Sequence, residues 1–155
     1  MQGQIRLASI ELIEKLWQEH WGLPIVSVER EYLPPDVEGL VWRERDEVLG
    51  LITCAMDGDS AEIVSLDAFE QGRRIGARLM EAAEEELRHC GVRRLRVVTT
   101  NDNPRALGFY VRRGYRLVRL HLDAMDRVRR RKPRVPTTGT DGIPLRDMWE
   151  LEKGL

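Results

Sequence analysis

The stretch Glu62-Ile63-Val64-Ser65-Leu66-Asp67-Ala68-Phe69-Glu70-Gln71-Gly72-Arg73-Arg74-Ile75-Gly76-Ala77 decides the fold. Residues 61–66 are apolar and β-branched enough to predict a strand. Gly72 then marks a turn. Beyond it Ile75, Leu79, Ala82, Ala83, Leu87 and Cys90 recur every three to four positions, which predicts an amphipathic helix over residues 73–90, closed by Gly91. A strand thus runs through a glycine turn directly into a long helix. The first turn of a helix leaves about four backbone N–H groups unpaired. Together with the helix dipole they form an anion site. Gly72 and Gly76 remove side chains where a phosphate must come close. Arg73 and Arg74 add positive charge at a helix end that disfavours cations by itself, an arrangement that a pyrophosphate would neutralise. The stretch lacks the Gly-Lys-Ser/Thr ending of a phosphate loop and the spacing of GxGxxG. Taken alone, it also fits a plain strand–loop–helix connection.

Outward from this stretch, the chain reads as alternating elements. On the N-terminal side, Ile5, Ala8, Leu12, Ile13, Leu16, Trp17 and Trp21 have helical spacing over residues 5–21, stopped by Gly22 and Pro24. Residues 25–28 predict a short strand. Residues 39–45 and 47–56 predict a hairpin turning near Asp46, and with 61–66 they make an antiparallel meander. On the C-terminal side, residues 95–99 predict a valine-rich strand. Asn103 and Pro104 open another helix, with Asn as cap and Pro in the first turn. Gly114 ends it. Residues 115–122 predict a strand, 123–131 a short basic helix, 132–147 an irregular arm and 148–153 a final strand. The sum is a mixed α/β (α+β) domain around one sheet.

The second informative stretch is Asn103-Pro104-Arg105-Ala106-Leu107-Gly108-Phe109-Tyr110-Val111-Arg112-Arg113-Gly114-Tyr115. With Gln71–Ala77 it resembles the GNAT superfamily of N-acetyltransferases. That family pairs a Gln/Arg-x-x-Gly-x-Gly/Ala turn with an Asn-x-x-Ala-x-x-Phe-Tyr-x-x-x-Gly-Phe/Tyr helix. Order, spacing and flanking strands agree over roughly residues 39–122. One position departs: the fourth residue of the first motif, a glycine in the family, is Arg74, whose Cβ restricts φ. The family also opens with a strand before its first helix, so residues 4–7 are either a remnant of that strand or already helical.

The resemblance implies a GNAT fold, with a mixed central sheet splayed between its fourth and fifth strands and flanked by helices. It implies one domain over residues 1–155, with a core of about 5–122 followed by the basic helix, arm and last strand. It implies acetyl-CoA as co-substrate and no metal. The pantetheine would run along the backbone at Leu66 and Asp67. The pyrophosphate would sit on Gln71, Gly72, Arg73, Arg74, Ile75, Gly76 and Ala77. The tail would pass Asn103, Ala106 and Phe109, with Arg112 or Arg113 at the nucleotide end. The chemistry would be direct attack of a neutral amine on the thioester, with the Leu66 N–H steadying the oxyanion. Tyr110 stands where the family keeps its general acid, and Glu62 where some members keep a base. The acceptor, a small-molecule or protein amine, would meet Trp17, His20 and Trp21 on the first helix. A transferase for a longer acyl-CoA and a coenzyme-binding module without activity are the alternatives.

Composition narrows the function classes. Of 155 residues 42% are apolar and 33% charged, which fits a globular domain with a sizeable core. No apolar run approaches the roughly 20 residues of a membrane span, and no secretory leader is visible. Cys54 and Cys90 form no CxxC pair and the three histidines are scattered, so no zinc site is read. Free thiols predict a reducing cytoplasm. The net charge of −1 hides an asymmetry: residues 1–70 hold 5 Lys/Arg against 15 Asp/Glu, and residues 71–155 hold 20 against 11. The acidic half suits a cationic acceptor and the basic half a polyanion, and the asymmetry fits equally well two halves that attract each other in the fold. The five arginines and one lysine of residues 127–134 lack the interleaved aromatics of an RNA binder, so no nucleic-acid or membrane partner is expected. The segment 132–155 offers a surface for a homodimer.

Overall fold

The computed structural model describes residues 3–155; the first two residues of the expected 1–155 domain lie outside it. The elements run β1 (Gln4–Leu7), α1 (Ile10–His20), β2 (Ile25–Ser27), β3 (Arg30–Tyr32), β4 (Glu38–Glu44), β5 (Glu47–Asp57), β6 (Ser60–Ala68), α2 (Ile75–His89), β7 (Arg94–Thr100), α3 (Pro104–Arg112), β8 (Arg116–His121), α4 (Ala124–Arg131) and β9 (Met148–Gly154). This is a mixed α/β fold. The contacts gather into two compact units, one of residues up to 25 with 31–95 and 155, the other of residues 26–30 and 96–154.

In the first unit β1, β4, β5 and β6 are successive antiparallel neighbours. The helical spacing read from Ile5 onward does not hold at its start. Residues 4–7 instead pair with β4, Gln4 opposite Arg43 and Leu7 opposite Leu40. The edge of β4 needs backbone partners, and Leu7 remains 84% exposed, so no apolar burial holds it in a helix. The N–H of Ala8 still donates to the Gly39 carbonyl at 2.9 Å. The helix proper begins at Ile10, capped by Ser9, whose hydroxyl accepts from the Leu12 N–H at 3.1 Å.

One face of α1 buries Ile13, Leu16 and Trp17 against Val41, Leu51 and Val64. The pairing of β5 with β6 shifts register at Thr53/Cys54: Thr53 faces Ser65, Cys54 faces Ile63, and Val64 is the extra residue. Such a bulge re-aims side chains. Here it lets the consecutive Val64 and Ser65 both meet α1, Val64 in the apolar cluster and Ser65 through a hydrogen bond from the Trp17 indole. Helix α2 buries Ile75, Ala77, Leu79, Met80, Ala83 and Leu87. It lies so close to β5 that a Cβ on Gly50 would stand 2.6 Å from Ile75 Cγ2.

In the second unit the strand order is β7-β9-β8, so β9 lies between the other two. β9 is antiparallel to β8, with Arg116 opposite Glu152 and His121 opposite Met148. Met125 and Val128 of α4 pack with Leu145 and Met148. The segment 132–147 is irregular, as expected, and it is anchored. Asn101 Oδ1 accepts from the N–H groups of Arg146 and Asp147, each at 2.9 Å, and Nδ2 donates to the Pro144 carbonyl. The Asp102 carboxylate accepts from Thr100 Oγ1 at 2.5 Å and from the Thr140 N–H at 3.0 Å. Burial raises the Asp102 pKa, but these hydrogen bonds outweigh it and hold the carboxyl below the usual range. Among the described residues no helix is long and apolar enough to cross a membrane.

Candidate functional site

The turn after β6 carries two residues in left-handed backbone, Gly72 at φ 78° and Arg74 at φ 58°. Arg74 caps α2 with no side-chain hydrogen bond, and its carbonyl accepts the Arg78 N–H at 3.0 Å. The departure noted in the sequence therefore has a physical form: an arginine stands in a left-handed conformation that a glycine would adopt freely. A left-handed non-glycine residue costs roughly 1–2 kcal/mol, part of which a glycine returns as chain entropy. Arg74→Gly is expected to stabilise the protein by about 0.5–1 kcal/mol, read as a higher urea midpoint at unchanged slope.

The side chains of Gln71, Arg73 and Arg74 are exposed, whereas Ile75 and Ala77 are buried in the core. What the turn presents at the start of α2 is therefore backbone N–H groups and exposed polar side chains. The two arginines differ. Arg73 is held by Glu44 and by Glu70, the latter at 2.7 Å. The Arg73 hydrogen bond, above all, keeps the Glu44 carboxyl below its ordinary range. Arg73 is thus balanced from within and ties the turn to β4, so its charge needs no external polyanion. Among the described residues no hydrogen bond or ion pair engages the Arg74 side chain. Glu44 was not foreseen. It lies 29 positions from Arg73, and no local pattern links the two.

The face of β6 that meets α1 carries a row of polar groups. Glu62 is only 2% exposed and accepts from the Tyr32 hydroxyl at 2.8 Å. This is not a solvated strand glutamate. Ser65 accepts from Trp17 Nε1 at 3.0 Å and shares a 2.7 Å bond with the Thr53 hydroxyl. Asp67 Oδ2 accepts from Trp21 Nε1 at 2.9 Å. The His20 ring stacks on Phe69 with centroids 4.6 Å apart. Trp17 and Trp21 thus reach β6, and His20 reaches the residue that follows it. Trp17, fully buried, is core, while Trp21 is 44% exposed. Burial pushes the Asp67 pKa up, against the opposing pull of the Trp21 hydrogen bond and the nearby His20. Cys54 is core as well, its thiol pushed up to about 12 by burial and so unreactive.

In the second unit Asn103 Oδ1 accepts from the Ala106 N–H at 3.1 Å and caps α3 as the sequence predicts. Tyr110 is 7% exposed, with Phe109 and Tyr115 edge-on to its ring at 5.3 and 5.7 Å. Arg113 folds back on its own helix, its guanidinium 3.7 Å from the Phe109 ring centroid and donating to the Phe109 carbonyl at 2.9 Å.

The profile of the Acetyltransferase (GNAT) family matches residues 7–115. The chain belongs to the GNAT family. Two Bacillus subtilis proteins carried under uncharacterized names agree in length with this GNAT chain. YxbD is 37% identical over 94% of this chain and 92% of its own, and YdhI is 33% identical over 88% and 86%. Among solved structures, an IAA acetyltransferase from Bacillus cereus superposes with a TM-score of 0.80 at 21% identity, covering 99% of this chain and 100% of that one. A GNAT family acetyltransferase from Elizabethkingia anophelis, solved with acetyl-CoA, gives 0.75 at 16% identity, covering 99% of each chain. The fold is the GNAT fold, and this GNAT protein is an acyltransferase.

Proposed function

We propose that residues 1–155 work as one acetyltransferase domain that passes an acetyl group from acetyl-CoA to a primary amine by direct attack in a ternary complex. The observation that carries this reading is the turn at Gln71–Ala77, where the unpaired amides of the first turn of α2 follow a strand. These amides suit a pyrophosphate, and Arg74 adds a cation. The bound coenzymes of two similar structures, acetyl-CoA in the Elizabethkingia protein and CoA in a Bacillus subtilis acetyltransferase, support the choice of ligand. The pantetheine is assigned to the backbone of Leu66 and Asp67, and the coenzyme's tail to Asn103, Ala106, Phe109 and Arg113. The two free cysteines fit a reducing cytoplasm.

In the reaction the amine nitrogen attacks the thioester carbon and the C–S bond breaks. The Leu66 N–H stabilises the developing oxyanion. Glu62 takes the amine's proton, and Tyr110 gives one to the departing thiolate. The burial of Glu62 supports its part, because a carboxylate held away from water takes the proton without solvent competing for it. Calorimetry with acetyl-CoA and longer acyl-CoA thioesters, followed by thiol release across a panel of amines, tests the whole reading. Tight acetyl-CoA binding with amine-dependent thiol release is expected; no affinity for any CoA species would end it. Glu62→Gln is expected to lower kcat on the order of a hundredfold while the Kd for acetyl-CoA stays within twofold, and unchanged kcat would remove Glu62 from the base role.

A further inference from the structure

Building on the acetyltransferase reading, we infer that the side chain of Asp67 recognises a second positive charge on the acceptor, which makes small diamines and polyamines the substrate class of this enzyme. Asp67 is the one carboxylate in the β6 row that is neither locked to a hydroxyl, as Glu62 is to Tyr32, nor tied to an arginine, as Glu44 is to Arg73. Its Oδ2 is taken by the Trp21 indole N–H. Among the described residues no donor reaches Oδ1, and His20, near enough to favour the charged form, makes no hydrogen bond to it.

A largely buried carboxylate with one neutral donor is under-compensated; an ammonium is the partner such a group lacks. Oδ1 is nevertheless open to a ligand, because no side-chain oxygen or nitrogen among the described residues is both fully buried and without a partner. The walls fit the same guest. The half-exposed Trp21 ring and the stacked His20–Phe69 pair offer aromatic faces to a cation and its methylene chain. The position fits too. Asp67 follows Leu66, whose amide is assigned to the oxyanion, so a short diamine spans from the acetylated nitrogen to the carboxylate. The excess of 15 acidic over 5 basic residues in positions 1–70 draws such cations in. The backbone of Asp67 thus serves the coenzyme and its side chain the acceptor.

The test compares 1,4-diaminobutane with butylamine, which matches it in length but lacks the second charge. Initial rates with acetyl-CoA are expected to give the wild-type protein at least a thirtyfold higher kcat/KM for the diamine. Asp67→Asn should lose at least ten times more kcat/KM on the diamine than on butylamine, a ratio that any change in coenzyme affinity, common to both amines, leaves untouched. Asp67→Glu, which keeps the charge, should retain most of the preference, and it stands in if the Asn variant does not fold. Equal losses on both amines, or a wild-type protein indifferent to the second charge, would overturn the inference. Calorimetric titration of the diamine into the protein separates the two readings. Diamine binding that Asp67→Asn abolishes, in a protein that transfers no acetyl group, supports the charge site and rejects the transferase. Acetyl transfer without diamine preference does the reverse.

Discussion

Gly76→Glu is expected to abolish acetyl-CoA binding while making the protein more stable. Gly76 is the second residue of α2, inside the turn whose amides face the proposed pyrophosphate. A carboxylate there competes for the same N–H groups. It also repels a phosphate: two like charges about 4 Å apart near a protein surface cost on the order of 4 kcal/mol, roughly a thousandfold in affinity. The folded chain itself gains. A glutamate in the first turn complements the helix dipole by about 0.3–1 kcal/mol, and replacing a helical glycine adds up to about 1 kcal/mol. Calorimetry should therefore show a loss of at least a hundredfold in affinity, while the thermal midpoint rises by a few degrees. Opposite signs in the two readouts exclude misfolding as the cause. Affinity left intact would remove residues 71–77 from the coenzyme site.

Tyr110→Phe is expected to cut kcat on the order of a hundredfold or more, the range for loss of a proton donor, with coenzyme affinity within twofold. The phenol's ordinary pKa near 10 suits giving a proton to a thiolate better than taking one from an amine. Phenylalanine keeps the edge-on contacts with Phe109 and Tyr115, and losing one hydroxyl costs about 1 kcal/mol, too little to unfold the chain. Single-turnover measurements separate the acetyl-transfer step from product release. Undiminished turnover would take Tyr110 out of the mechanism.

What the sequence made legible was local. The strand, the turn at Gly72, the periodicity of α2 and the Asn103–Pro104 cap each depend on residues within a few positions of one another, and each stands close to its expected place. At the chain start the spacing of Ile5, Ala8 and Leu12 is helical while the resemblance allows a strand, and the edge of β4 decides for the strand by capturing residues 4–7. The site was legible only as a set of parts. Gln71–Ala77 and the aromatic residues of α1 could be named, but not what they bond to. Tyr32 and Glu62 are 30 positions apart, and Trp17 and Ser65 are 48 apart. The bulge at Val64 leaves no mark in composition. Arg74 shows the boundary well: the sequence shows an unexpected residue, and the backbone shows that it is held at positive φ.

The interior place of β9 bears on how the chain is made. On the ribosome β7 and β8 emerge well before the strand that separates them, so the sheet of the second unit cannot assemble in the order of translation. The meander of β4, β5 and β6 is contiguous and pairs as it appears. The nascent chain therefore carries an unfinished unit until β9 emerges to take its place between the segments of β7 and β8.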